Sequence, residues 1–174
     1  MASDRKNELA QRVVSLATSY GMTVGTAESC TGGLVSGAIT EIAGSSAALR
    51  GGIVSYDPAV KHDVLGVSQS VIDSPDMGVV SPECASQMAT GAHSVLRCDV
   101  AVSITGIAGP GGAEPGKPVG TVWFGLAYGN VVKTDLKHFG GSRGEVRSQA
   151  VCHALQLLCE GLEKACGLDS GNAQ

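Results

Sequence analysis

The run Val100-Ala101-Val102-Ser103-Ile104-Thr105 is continuous and mostly apolar, and fifteen residues with six glycines and three prolines follow it from Gly106 to Gly120. A short unbroken apolar run has the character of a strand buried on both faces, as in the middle of a parallel sheet. Both faces of such a strand must be covered by helices, so the rest of the chain has to supply them. It does. Leu9, Val13, Leu16 and Tyr20 fall at helical spacing and end at Gly21, a residue free to take the positive φ of a helix terminus. Met22 to Thr26 reads as a short strand, Ala27 to Gly33 as a small-residue turn, and Leu34, Ala38, Ile39 and Ile42 as a second helical stripe.

Gly52 to Tyr56 reads as a further strand, and Asp57-Pro58 is a cap followed by proline at the start of a short helix carrying Lys61. Val67 to Gly78 is polar and mixed and reads as loop. Ser81-Pro82 starts a helix whose apolar face is Ala85, Met88, Ala89, Ala92, Val95 and Leu96. After the glycine-rich loop, Thr121 to Ala127 and Val131 to Phe139 flank Tyr128-Gly129-Asn130, a hairpin signal, and the alternating second strand belongs near an edge. Ser142-Arg143-Gly144-Glu145 is a capping box ahead of the stripe Val151, Leu155, Leu158 and Leu162. The expected fold is α/β, a three-layer α/β/α sandwich with a mixed, mainly parallel sheet, forming one domain over residues 1–174. Ligands of such sheets sit at the carboxyl ends of the strands, where the two glycine-rich loops and Tyr56 fall.

Composition narrows the function. With 12 basic and 16 acidic residues the net charge is -4, and there are only three Tyr, two Phe and one Trp, so nucleic acid is not expected as a ligand. The polar N-terminus leads into no secretory core and no run of about 18 apolar residues occurs, which points away from the membrane and to the cytoplasm. Cys30, Cys84, Cys98, Cys152, Cys159 and Cys166 contain no CxxC pair and read as reduced thiols, the last three as core or interface filler along the final helix. His62, His93, His138 and His153 are scattered without ligand spacing, so neither a metal nor a cofactor is expected.

Ser29 lies between a strand and a helix, where the amides of Thr31, Gly32 and Gly33 are placed to meet an oxyanion or a phosphate; alternatively Ser29 or Thr31 caps the helix. Lys61 suits the role of a base, since a partly buried amine loses its proton readily; alternatively it is a solvated surface lysine. Cys30 is a rival nucleophile. Lys117 in the Gly/Pro loop and Arg143 at the last helix start are candidates for a phosphate or carboxylate. The Ser29 stretch satisfies neither GxGxxG, nor GxxxxGK[ST], nor GxSxG.

Four segments taken together are more specific than any of these signals. Thr26-Ala27-Glu28-Ser29-Cys30-Thr31-Gly32-Gly33, Gly51-Gly52-Ile53-Val54-Ser55-Tyr56 with Lys61, Thr105-Gly106-Ile107-Ala108-Gly109-Pro110-Gly111-Gly112, and Lys117-Pro118-Val119-Gly120-Thr121-Val122 resemble the CinA C-terminal domain family in order and spacing. The resemblance runs from about Leu9 to Leu162 and implies the stand-alone form, without the molybdopterin-binding-like domain that other members carry. It implies hydrolysis of the carboxamide of nicotinamide mononucleotide to nicotinic acid mononucleotide and ammonia, in pyridine nucleotide salvage. It further implies Ser29 as nucleophile, Lys61 as general base and Tyr56 as an aid to proton transfer or orientation. Beside these roles, Cys30, Thr31, Gly32, Gly33, Thr105, Gly106, Gly109, Lys117 and Arg143 are expected around the nucleotide.

Two positions depart from the family pattern. Gly141-Ser142-Arg143 stands where Gly-Asp-Arg is usual, and Asp57-Pro58 replaces Ser-Asn after Tyr56. The competing readings are a non-catalytic nucleotide-binding module using the same glycine loops, and a thiol enzyme using Cys30. A homodimer through the small-residue and cysteine surface of the last helix is a further expectation.

Overall fold

A computed structural model of the chain describes residues 2–167. The elements run α1 (Ala2–Tyr20), β1 (Val24–Glu28), α2 (Leu34–Thr40), a single 3-10 turn (Ser45–Ala47), β2 (Leu49–Val54), α3 (Pro58–Leu65), α4 (Gln69–Ile72) and α5 (Pro82–Leu96). They continue as β3 (Val100–Gly106), β4 (Thr121–Tyr128), β5 (Val131–His138) and α6 (Arg143–Ala165). One sheet of strand order β2-β1-β3-β4-β5 carries two parallel pairings, β1 with β2 and with β3, and two antiparallel ones, β3 with β4 and β4 with β5. The β4–β5 hairpin closes with Tyr128 opposite Val131, and its second strand is the edge the alternation called for.

The buried run VAVSIT divides its side chains between two helical layers. Val100, Val102 and Ile104 join Val122, Phe124 and Leu126 of β4 under α1, α2 and α6. Ala101 faces the other way with Ala27 and Ala127, beneath the Met88, Ala89 and Ala92 face of α5. Small residues on that second face let α5 approach closely: a Cβ on Gly125 would fall 2.3 Å from the Ala85 carbonyl oxygen. One on Gly91 would fall 2.0 Å from that of Leu65, which pins α3 against α5.

Caps foreseen from sequence are made. The Asp57 side chain accepts from the Ala59 amide, Ser81 from that of Cys84, and Ser142 and Glu145 form the reciprocal capping box. The loop expectation for Val67 to Gly78 misses one short helix, α4, whose Val71 is buried in the second core; a single apolar side chain without periodicity around it gives no sequence signal. β2 also starts earlier than Gly52 and stops at Val54; beyond it the Ser55 amide still donates to the Glu28 carbonyl, while the carbonyls of Ser55 and Tyr56 accept from Lys61.

Candidate active site

β1 lies between β2 and β3, all three parallel, so their carboxyl ends converge on one edge of the sheet. Ser29 is the first residue past β1, and its amide still donates to the Ile104 carbonyl at 3.0 Å. The chain then turns through Gly32 (φ 62°) and Gly33 (φ 95°) into α2, conformations that residues with a Cβ avoid. Neither Ser29 nor Thr31 caps that helix. Glu28 does, with a carboxylate that is 0% exposed. It accepts from the amides of Gly33 (3.0 Å), Val35 (3.0 Å) and Ser36 (2.9 Å) and from the Thr26 hydroxyl (3.1 Å). A negative group at a helix N-terminus meets both the unpaired amides and the positive end of the helix dipole. Glu28→Gln keeps the shape but turns an NH2 toward amide donors, and a loss of about 2–3 kcal/mol is expected in urea unfolding.

Lys61 is the largest fully buried side chain, 1% exposed, which rules out the solvated reading. Its Nζ lies 3.0 Å from Ser29 Oγ, 2.6 Å from the Ser55 carbonyl and 3.3 Å from the Tyr56 carbonyl. Among the described residues no carboxylate comes within 4.0 Å of it. Burial without an ion pair pushes the amine pKa below its ordinary 10.5, more than the nearby Cys84, Cys30 and Asp57 push it up. The geometry suits the neutral amine: two N–H groups serve the two carbonyls, and the lone pair is left for the Ser29 hydroxyl proton. Ser29 Oγ and Lys61 Nζ thus form a nucleophile–base pair in contact.

Cys30 is only 6% exposed, and burial drives its thiol to a pKa of about 11, so it stands protonated beside the serine rather than as a thiolate. Tyr56 reaches Lys61 through its carbonyl; the residue is 62% exposed, and its hydroxyl accepts from Arg143 Nη2 at 3.3 Å. Arg143 Nη1 also donates to the Gly109 carbonyl at 2.7 Å, so the start of α6, the loop after β3 and the end of β2 meet at the rim. Thr105 and Lys117 are engaged elsewhere. The Thr105 hydroxyl donates to the Val79 carbonyl and Lys117 Nζ to that of Met77, both at 2.6 Å, fastening the segment before α5. Gly106 passes close to β4, where a Cβ would meet the Thr121 carbonyl at 2.7 Å.

The amides of the turn are not all open. Gly32 donates to the Ser29 carbonyl at 3.1 Å and Gly33 to Glu28, which leaves those of Cys30 and Thr31. Two hydroxyls nearby, Thr31 Oγ1 and Ser55 Oγ, are buried without a partner among the described residues. Sequence reading missed Glu28 and Arg147. The signal for Arg147 was its place one turn beyond Arg143, on the same helix face. That for Glu28 was a lone charge closing a buried strand just before a helix.

The CinA C-terminal domain family matches residues 6–162. The chain belongs to this family. Among its CinA relatives, the nicotinamide-nucleotide amidohydrolase PncC of Enterobacter agglomerans is 46% identical over 157 residues, 90% of this chain and 94% of that protein. The protein of the same name from Escherichia coli K12 is 44% identical over 160 residues, covering 91% and 95%. A solved CinA-type structure, the competence/damage inducible protein CihA from Agrobacterium tumefaciens, superposes with a TM-score of 0.87 at 43% identity over 90% of this chain and 95% of that one. No helix among the described residues is long and apolar enough to cross a membrane.

Proposed function

We propose that the chain is a nicotinamide-nucleotide amidohydrolase, converting nicotinamide mononucleotide and water to nicotinic acid mononucleotide and ammonia. The observation that carries this reading is the 3.0 Å contact between Ser29 Oγ and the buried Lys61 amine, with which no carboxylate among the described residues forms an ion pair. The two full-length relatives named for that activity supply the substrate.

In this mechanism Ser29 Oγ attacks the carboxamide carbon while Lys61 takes the hydroxyl proton. Negative charge forms on the carboxamide oxygen, where amides of the turn after Ser29 can receive it. Lys61 returns its proton to the departing nitrogen, ammonia leaves, and the acyl group stays on Ser29 as an ester. Water then attacks the ester, Lys61 again taking and returning the proton, and Ser29 is freed. Arg143 at the rim, with two of its donors already placed by Gly109 and Tyr56, is our candidate for the phosphate. Thr105 and Lys117 act in this scheme by holding the 77–79 main chain. The reading places the enzyme in pyridine nucleotide salvage in the cytoplasm, as a homodimer working on a small nucleotide.

The test is ammonia release from nicotinamide mononucleotide by wild type and Cys30→Ala. Both are expected to turn over, within about three-fold of each other, because a protonated buried thiol acts as a small apolar side chain. A variant without activity would return Cys30 to candidacy as nucleophile, and a wild type without activity would remove the substrate assignment.

A further inference from the structure

Charge that develops on the carboxamide oxygen needs donors already aimed at it. After Ser29 only the amides of Cys30 and Thr31 donate to no other residue among those described. What aims them can be read from their own peptide units. Both units are trans, and in a trans unit the carbonyl and the N–H point in opposite directions. The carbonyl of Ser29 is held by the Gly32 amide at 3.1 Å, which turns the Cys30 N–H the other way. The carbonyl of Cys30 is held by Arg147 Nε at 3.1 Å, which turns the Thr31 N–H away from the guanidinium; Thr31 is 0% exposed, so the reachable donor of the turn is the Cys30 N–H.

Arg147 Nη2 donates in addition to the Thr31 carbonyl at 3.1 Å, so one guanidinium grips two successive peptide units from α6. The contact is long-range in sequence and short in space, and its planar fork allows little rotation. Among the described residues no carboxylate lies within 4.0 Å of this guanidinium, so its charge falls undiluted on the two carbonyls. A carbonyl polarised in this way makes the N–H of the same unit a stronger donor, so the grip on the Thr31 carbonyl strengthens the bond from the Gly32 amide to the Ser29 carbonyl, the unit that carries the Cys30 N–H.

We propose that Arg147 is a positioning residue for the reaction: by holding the carbonyls of Cys30 and Thr31 it fixes the Gly32 amide on the Ser29 carbonyl and so aims the Cys30 amide at the oxyanion. The inference rests on the serine-nucleophile reading above but not on the identity of the amide. It separates the two arginines of α6 into different duties, Arg143 at the rim and Arg147 behind the nucleophile turn.

The experiment follows Ser29 with a fluorophosphonate probe, by mass spectrometry, in wild type and Arg147→Ala. In that reaction Ser29 Oγ bonds to phosphorus, fluoride leaves, the serine proton passes to Lys61, and the phosphoryl oxygen occupies the oxyanion position. Labelling is expected to slow by about 100-fold in Arg147→Ala, the low end for loss of one oxyanion donor. Ammonia release should fall in kcat by a similar factor with KM little changed, and millimolar methylguanidinium should restore both. The midpoint of the pH–rate profile should stay where it is, since Lys61 is untouched.

Labelling at the wild-type rate, a loss that methylguanidinium does not repair, or a shifted pH midpoint would each overturn the proposal. Arg147→Lys, which retains charge and packing but not the fork, is expected to label about ten-fold more slowly and carries the comparison if the alanine variant does not fold. Arg147-dependent labelling by a wild type that leaves nicotinamide mononucleotide intact would sink the substrate reading and keep this one. Ammonia release with labelling indifferent to Arg147 would do the reverse.

Discussion

Ser29→Ala is expected to release ammonia from nicotinamide mononucleotide at least about ten-thousand-fold more slowly than wild type, the scale seen when a nucleophile is removed from a concerted set of catalytic groups. The variant should melt within about 2 °C of wild type, because the change deletes one partly exposed oxygen and leaves Lys61 both of its carbonyl partners. The main-chain bond from residue 29 to the Ile104 carbonyl does not depend on the side chain. Ammonia production within ten-fold of wild type would dismiss Ser29 as nucleophile. Side-by-side thermal unfolding keeps a folding defect from imitating a catalytic one.

Lys61→Met is expected to cost about 1000-fold or more in kcat, since it removes the base and the proton donor while matching the shape of the stem. Wild-type kcat/KM should climb with pH as the amine loses its proton and level off above a midpoint lower than 10.5. The same lowered pKa makes a second, independent statement about stability. Between the folded midpoint and 10.5 the unfolded chain binds more protons at this lysine than the folded one, so wild-type stability gains as pH rises through that window. Lys61→Met lacks this term. The difference in unfolding free energy between the two proteins should therefore move toward wild type from neutral pH to about 10.5 and then stop changing. A flat difference across that range would mean that the amine is not held neutral by its surroundings.

How far the sequence could be read depended on whether a residue's duty was local. The VAVSIT run, the Asp57-Pro58 and Ser81-Pro82 starts and the Ser142–Glu145 box act within a few positions, and the structure keeps them all. Ser29 and Lys61 were singled out on chemistry, but their neighbours alone favoured a cap and a solvated lysine. Only the parallel pairing of β1 with β2 brings them to 3.0 Å. The cap went to Glu28 because a carboxylate reaching back from the strand serves three amides, which a serine or threonine hydroxyl cannot do. Thr105 and Lys117 looked like ligand residues because loop position and charge do not reveal which carbonyl lies overhead. That information resides in the path of residues 77–79, where hydropathy carries no pattern.

The order in which these parts leave the ribosome adds a consequence. Ser29 and Lys61 are both synthesised early, and β1 with β2 can pair before β3 exists. Yet Arg147 and Arg143 belong to α6, which follows every strand, and they grip the turn at Cys30 and Thr31 and the rim at Gly109. A nascent chain halted after β5 would hold nucleophile and base in sequence but lack both the arginine brace and the α6 face that covers Val100, Val102 and Ile104. Catalytic competence is thus deferred to the close of translation, and a truncated product should be inert although both reacting side chains are present.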